Sequence, residues 1–106
     1  MENLTITQLQ KYLELKYQGK ITSESLFMKL VEEVGEVAEM MNQLAGRKDV
    51  DTTNTLANEL ADVIHYTFAI AAINGIDLNQ AIIEKDREGS RKYHQTPNLE
   101  EYIAQF

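Results

Sequence analysis

The sequence predicts an all-α domain, a helical bundle of about four core helices, and three observations carry that prediction. Apolar residues recur at three- and four-residue intervals rather than alternating, the period of a helix buried along one face. The one proline, Pro97, stands near the C-terminus, so no proline interrupts a helix before it. A chain of 106 residues suits a single domain and leaves no room for a second core. The expected core runs from about residue 5 to 93, with a C-terminal tail over 96–106.

The first helix is expected to start near Thr5 or Thr7, to run to about Tyr17 with Ile6, Leu9, Leu13 and Tyr17 on one stripe, and to end at Gly19. Thr22 and Ser23 then provide start signals for a long second helix. Its predicted buried stripe is Leu26, Leu30, Val34, Val37, Met41 and Leu44, and it stops at Gly46. Met28, Met40 and Met41 read as ordinary apolar filler at helical spacing. Polar, cap-rich residues from Arg47 to Thr53 predict a loop that could face a ligand. A third helix is expected from about Thr53 to Asn74. Val63, Ile64 and the run Phe68 to Ile73 leave its second half little polar surface, so it should be surrounded by other helices. One small protomer can hardly bury all of it, which predicts completion of the bundle by a homodimer or homotetramer. Gly75 closes that helix, and Asp77-Leu78-Asn79-Gln80 resembles a capping box opening a fourth helix to about Tyr93. In the tail, Asn98 is placed to cap a turn whose stripe of Leu99, Tyr102, Ile103 and Phe106 should dock on an apolar surface.

Charge narrows the function. With 17 acidic and 10 basic residues the net charge is −7, a field that repels a nucleic-acid polymer. A small anion would need a local reversal of sign, which a divalent cation held by carboxylates would supply. Cysteine is absent, which removes disulfides, thiol catalysis and thiolate metal sites and suits a reducing compartment. No apolar run is long enough for a membrane span, and the N-terminus lacks the pattern of a secretory signal, so the expected location is cytoplasmic.

At about 100° per residue, Glu32, Glu36 and Glu39 fall on the polar face of the second helix and Glu33 lies at the edge of its apolar stripe. Glu33 and Glu36 are one turn apart, close enough to reach one ion. Alone, that cluster is what an ordinary solvated helix face carries. Glu59 and Asp62 weigh more, because they share the i, i+3 relation on a helix that soon turns apolar nearly all round, where unpaired carboxylates are costly to bury. Carboxylates from two adjacent antiparallel helices repel one another unless cations neutralise them, and an all-oxygen donor set favours magnesium or manganese.

These residues, in the stretches Lys29-Leu30-Val31-Glu32-Glu33-Val34-Gly35-Glu36 and Glu59-Leu60-Ala61-Asp62-Val63-Ile64-His65-Tyr66, resemble the MazG-like family of all-α nucleotide pyrophosphohydrolases. The resemblance covers roughly Ser23 to Tyr93 and implies hydrolysis of a nucleoside triphosphate to monophosphate and pyrophosphate with Mg2+, or Mn2+ in its place. It implies metal ligands at Glu33, Glu36, Glu59 and Asp62, with Glu32 or Glu36 as candidate general base. It also implies that Tyr66 lies near the nucleoside, and it aligns Lys85 with a family lysine. Arg91 and Lys92 are further candidates for phosphate, although they equally suit pairing with Glu84 and Glu88. The chain departs from the family at Gly89, where many members carry asparagine. His65 reads as a partly buried polar residue and His94 as a solvated one near a helix end.

Two other functions fit parts of the pattern. A carboxylate-bridged di-iron bundle also uses glutamates on packed helices, but it wants two Glu-x-x-His pairs and this chain has only Asp62-x-x-His65. A non-catalytic helical dimer would keep the bundle without turnover.

Overall fold

The computed structural model describes residues 2–49 and 54–105. Five helices follow one another: α1 (Ile6–Tyr17), α2 (Ser23–Leu44), α3 (Leu56–Ile73), α4 (Leu78–Lys92) and α5 (Leu99–Gln105).

Each start is set by a side chain that accepts one of the unpaired N–H groups of a first helical turn. Thr5 and Gln8 form a reciprocal capping box on α1, with Thr5 N donating to Gln8 Oε1 at 2.9 Å and Gln8 N to Thr5 Oγ1 at 3.1 Å. Thr22 receives Ser25 N and Thr55 receives Asn58 N, each at 3.1 Å. The third helix therefore opens three residues after its predicted start, because Thr55 is the residue that caps. Asp77 accepts Gln80 N at 3.2 Å, but Gln80 turns its own amide to Glu84 Oε1 at 2.9 Å, so only half of the expected box forms on α4. The reciprocal box appears instead on α5, between Asn98 and Glu101. Gly46 and Gly75, at φ +77° and +67°, let the chain leave α2 and α3 through the left-handed region that L side chains rarely enter.

α3 lies in the middle and packs against α2 and α1. Leu13 of α1, Leu26 of α2 and Ala69 and Ala72 of α3 form the buried centre, ringed by Leu9, Tyr17, Ile21, Tyr66, Phe68, Ile70 and Ile73. Alanine at the crossing lets the backbones approach closely. Gln10 of α1 clasps the α3–α4 turn with both ends of its amide, donating to Ile76 O at 2.7 Å and accepting from Leu78 N at 2.9 Å.

The stripe predicted for α2 is buried only in part. Leu26 is enclosed and Leu30 and Val37 are half-buried, whereas Val34, Met41 and Leu44 face solvent. Met40 is the methionine that reaches the core, and Met28 and Met41 are exposed rather than filler. The reason is that α2 carries two apolar faces. One meets α3, and the other, with Phe27, Val31, Val34, Ala38 and Met41 spaced alternately four and three residues apart, is open. Leu60 and Ile64 are similarly exposed on α3. The tail departs from expectation too: Tyr102 and Ile103 are more than half exposed, and α5 is held to α4 by polar bonds. Leu99 N donates to Asp86 Oδ2 at 2.7 Å, and Arg87 pairs with Glu100 at 2.7 Å. Phe106 and the loop residues Val50 to Thr53 lie outside the described residues, while the preceding loop residues fold back on α2 through Arg47 to Asn42 and Lys48 to Glu39, both 2.8 Å.

The protomer exposes 8103 Å² and has a radius of gyration of 16.8 Å. A compact chain of this size exposes about 6,000 Å² and has a radius near 13 Å. Among the described residues no helix is long and apolar enough to cross a membrane.

Candidate metal centre

The α2–α3 pairing brings together three of the predicted carboxylates. Glu33 of α2 and Glu59 and Asp62 of α3 each place an oxygen within 4.8 Å of the other two. Antiparallel packing does this: Glu33 faces α3 at mid-helix, and the i, i+3 spacing of Glu59 and Asp62 puts both on the surface that meets it.

Glu59 is the unusual member. Only 3% of its surface is exposed, and among the described residues it has no cationic partner. Its place in the first turn of α3, near the positive end of the helix dipole, offsets part of the cost of burying a negative charge. The rest appears on its neighbour. Burial pushes the Glu33 carboxyl above its ordinary value, and hydrogen bonding to Glu59 and the charges of Asp62 and Glu59 push the same way. A divalent cation is the group that reverses all of these effects at once, and three close carboxylates suit a hard one. The residues present therefore fit such a cation.

The other predicted residues divide. Glu36 is exposed on α2 and is not one of the three clustered carboxylates. Glu32 is exposed and pairs with Lys29 at 3.5 Å. Both stand on the solvent side of α2 within one turn of Glu33. Tyr66, one turn beyond Asp62, is half-buried beside the cluster. Its hydroxyl is raised above its ordinary value by burial first, then by Tyr17, with Glu33 and Asp62 adding to the rise and Lys29 opposing it. Lys85, Arg91 and Lys92 line a groove of about 460 Å³ on α4 together with Glu88, Gly89 and Tyr93. α4 packs against α1 and α5, so within one protomer these cations are built into a different surface from the cluster on α2 and α3.

Two residues gain partners that the sequence did not reveal. Tyr17 Oη lies 2.7 Å from His65 Nε2, across the α1–α3 contact. That bond commits Nε2 to α1, and His65 is not one of the clustered ligands, so the single Asp-x-x-His pair of the chain does not join the cluster as a di-iron centre would require of it. The charge of Lys29 is felt at Tyr66. Neither effect has a signature in spacing, because each joins residues on different helices.

Comparison with known proteins places the family and the fold. The family model for the MazG nucleotide pyrophosphohydrolase domain matches residues 21–94. The crystal structure of iMazG from Vibrio DAT 722 is 30% identical, with a TM-score of 0.69, over 87% of this chain and 100% of that one. YPJD from Bacillus subtilis shares the fold at a TM-score of 0.64 and 23% identity, over 92% of this chain and 99% of that one. No curated protein matches the chain.

Proposed function

Because the chain belongs to the MazG nucleotide pyrophosphohydrolase domain family, we propose that it is a divalent-cation-dependent nucleoside triphosphate pyrophosphohydrolase. It would convert a ribo- or deoxyribonucleoside triphosphate to the monophosphate and pyrophosphate, with non-standard nucleotides among its substrates in a house-cleaning role. The observation that carries this reading is the Glu33–Glu59–Asp62 cluster around a buried glutamate that no cation of the described chain neutralises.

Glu33, Glu59 and Asp62 would hold Mg2+ or Mn2+, with Glu36 as a further ligand at the solvent edge. When bound, the ion supplies charge neutralisation at the phosphates and lowers the pKa of the attacking water. Water adds at the α-phosphorus, the α–β bridging P–O bond breaks, and pyrophosphate leaves with the bond's electrons. A carboxylate that does not ligate the ion takes the proton from water: Glu32, or Glu36 where it stays off the ion. Tyr66 lines the nucleoside side of the site, where a half-buried ring offers a face for a base. Lys85, Arg91 and Lys92 are the candidate phosphate cations, and since they stand on a different surface of the same protomer a second copy would have to bring them to the site.

The open face of α2 and the roughly 2,000 Å² of surplus surface support a homodimer or homotetramer, since two protomers each covering that area reach the size of obligate interfaces. The cytoplasm is the proposed location.

The test is pyrophosphate release from standard, deoxy and damaged nucleoside triphosphates with magnesium, repeated with Glu59→Gln, Asp62→Asn and Glu36→Gln. Activity is expected in the wild type. It should fall at least a hundredfold in the first two variants, since each removes a charged ligand from the ion. Absence of turnover on every substrate, with no stabilisation by magnesium or manganese, would leave the non-catalytic dimer as the better reading.

A further inference from the structure

The Tyr17–His65 pair is a polar contact at the α1–α3 seam that the hydrolase chemistry above does not use. Tyr17 packs against the buried centre of the bundle, and its hydroxyl meets His65 Nε2 at 2.7 Å. Stability alone does not call for the pair, because replacing both partners of a buried hydrogen bond by apolar groups is often nearly neutral. What the pair does is fix a ring. The His65 imidazole stands edge-on to Tyr17, with centroids 5.6 Å apart and planes at 88°, and edge-on to Tyr66, at 4.9 Å and 73°. Such edge contacts are directional, so a histidine locked in one rotamer dictates where its neighbouring ring rests. Tyr66 in turn is close enough to Glu33 and Asp62 to feel their charge.

We propose that Tyr17 is a positioning residue for the carboxylate site: its hydroxyl locks His65, His65 seats Tyr66, and the first helix thereby sets how the site grips the nucleoside part of its substrate. The proposal rests on the hydrolase reading, in which Tyr66 faces the nucleoside. Glu33, Glu59 and Asp62 hold their places through the α2–α3 packing, to which Tyr17 contributes its ring and not its hydroxyl. The contribution of α1 is therefore separable from that of the cation.

Tyr17→Phe tests this in the full chain, because it keeps the ring and removes the hydroxyl. Three quantities are read: the ring-proton resonances of Tyr66, the KM and kcat for a nucleoside triphosphate, and inhibition by inorganic triphosphate, which has phosphates but no nucleoside. The Tyr66 resonances should move, and KM should rise roughly fivefold, the net worth of one hydrogen bond. kcat should stay within about twofold and inhibition by inorganic triphosphate should be unchanged, since a single distant hydrogen bond does not reach the ion. His65→Phe, which also keeps a ring and loses the bond, should reproduce the split. Unmoved Tyr66 resonances in either variant overturn the positioning. Parallel changes in KM and in inhibition by inorganic triphosphate overturn it as well, because they would mean a general disturbance of the site. Failure of the hydrolase reading shows separately, as a wild-type protein that turns over no nucleoside triphosphate.

Discussion

Glu59 is the buried carboxylate of the cluster, and the acid–base behaviour of its neighbour Glu33 is set by burial first and then by the bonds and charges of Glu59 and Asp62. The Glu33 carboxyl is raised above its ordinary value in the folded protein, so between the unfolded and the raised folded value the native state binds more protons than the unfolded chain. Stability of the metal-free protein should therefore decline as pH rises through that window and be recovered on mild acidification. Saturating magnesium should flatten the dependence, which urea unfolding at several pH values with and without the ion would measure. An apo protein that grows steadily more stable as pH rises through the same window would contradict this. The sequence made Glu59 and Asp62 legible because carboxylates on a helix that soon turns apolar are conspicuous. It set Glu33 at the edge of the apolar stripe and Glu36 on the polar face, yet their one-turn spacing left both as candidate ligands, because only the position of α3 decides which carboxylate meets Glu59 and Asp62.

The helices are where the sequence spoke most clearly. Thr5, Thr22, Asp77 and Asn98 cap as their short polar side chains require. The start of α3 is the most consequential of these ends, since Thr55 fixes the turn that contains Glu59. Thr55→Ala should cost about 1 kcal/mol of stability, read from thermal or urea unfolding, and should weaken magnesium binding in a titration by fraying the turn that buries the ligand. What the helical pattern could not assign was the partner of each apolar face. Val34 and Met41 belong to a real stripe, but periodicity is silent on whether α3 or something outside the protomer lies against it. The polar anchoring of α5 through Asp86 and Arg87 is likewise a matter of tertiary contact, invisible to spacing.

At the scale of the molecule the chain is open for its length, and the bare face of α2 is the surface that the proposed second copy would cover. Val34 is 52% exposed in the protomer, so Val34→Asp should leave the fold intact by circular dichroism. At an interface it would bury an unpaired charge, and the dissociation constant measured by sedimentation equilibrium should rise at least tenfold. An unchanged constant would remove this face from the assembly. Within the protomer, α1 is attached by the apolar packing of Leu9, Leu13 and Tyr17, by the Tyr17–His65 bond and by the amide of Gln10. The first N–H groups of a helix ordinarily have no protein partner and exchange with solvent freely. The Leu78 amide is different, because Gln10 accepts its proton. Its exchange with deuterium is thus tied to the separation of α1 from the rest of the bundle, and this one peptide group acts as a clock for how often the first helix lets go.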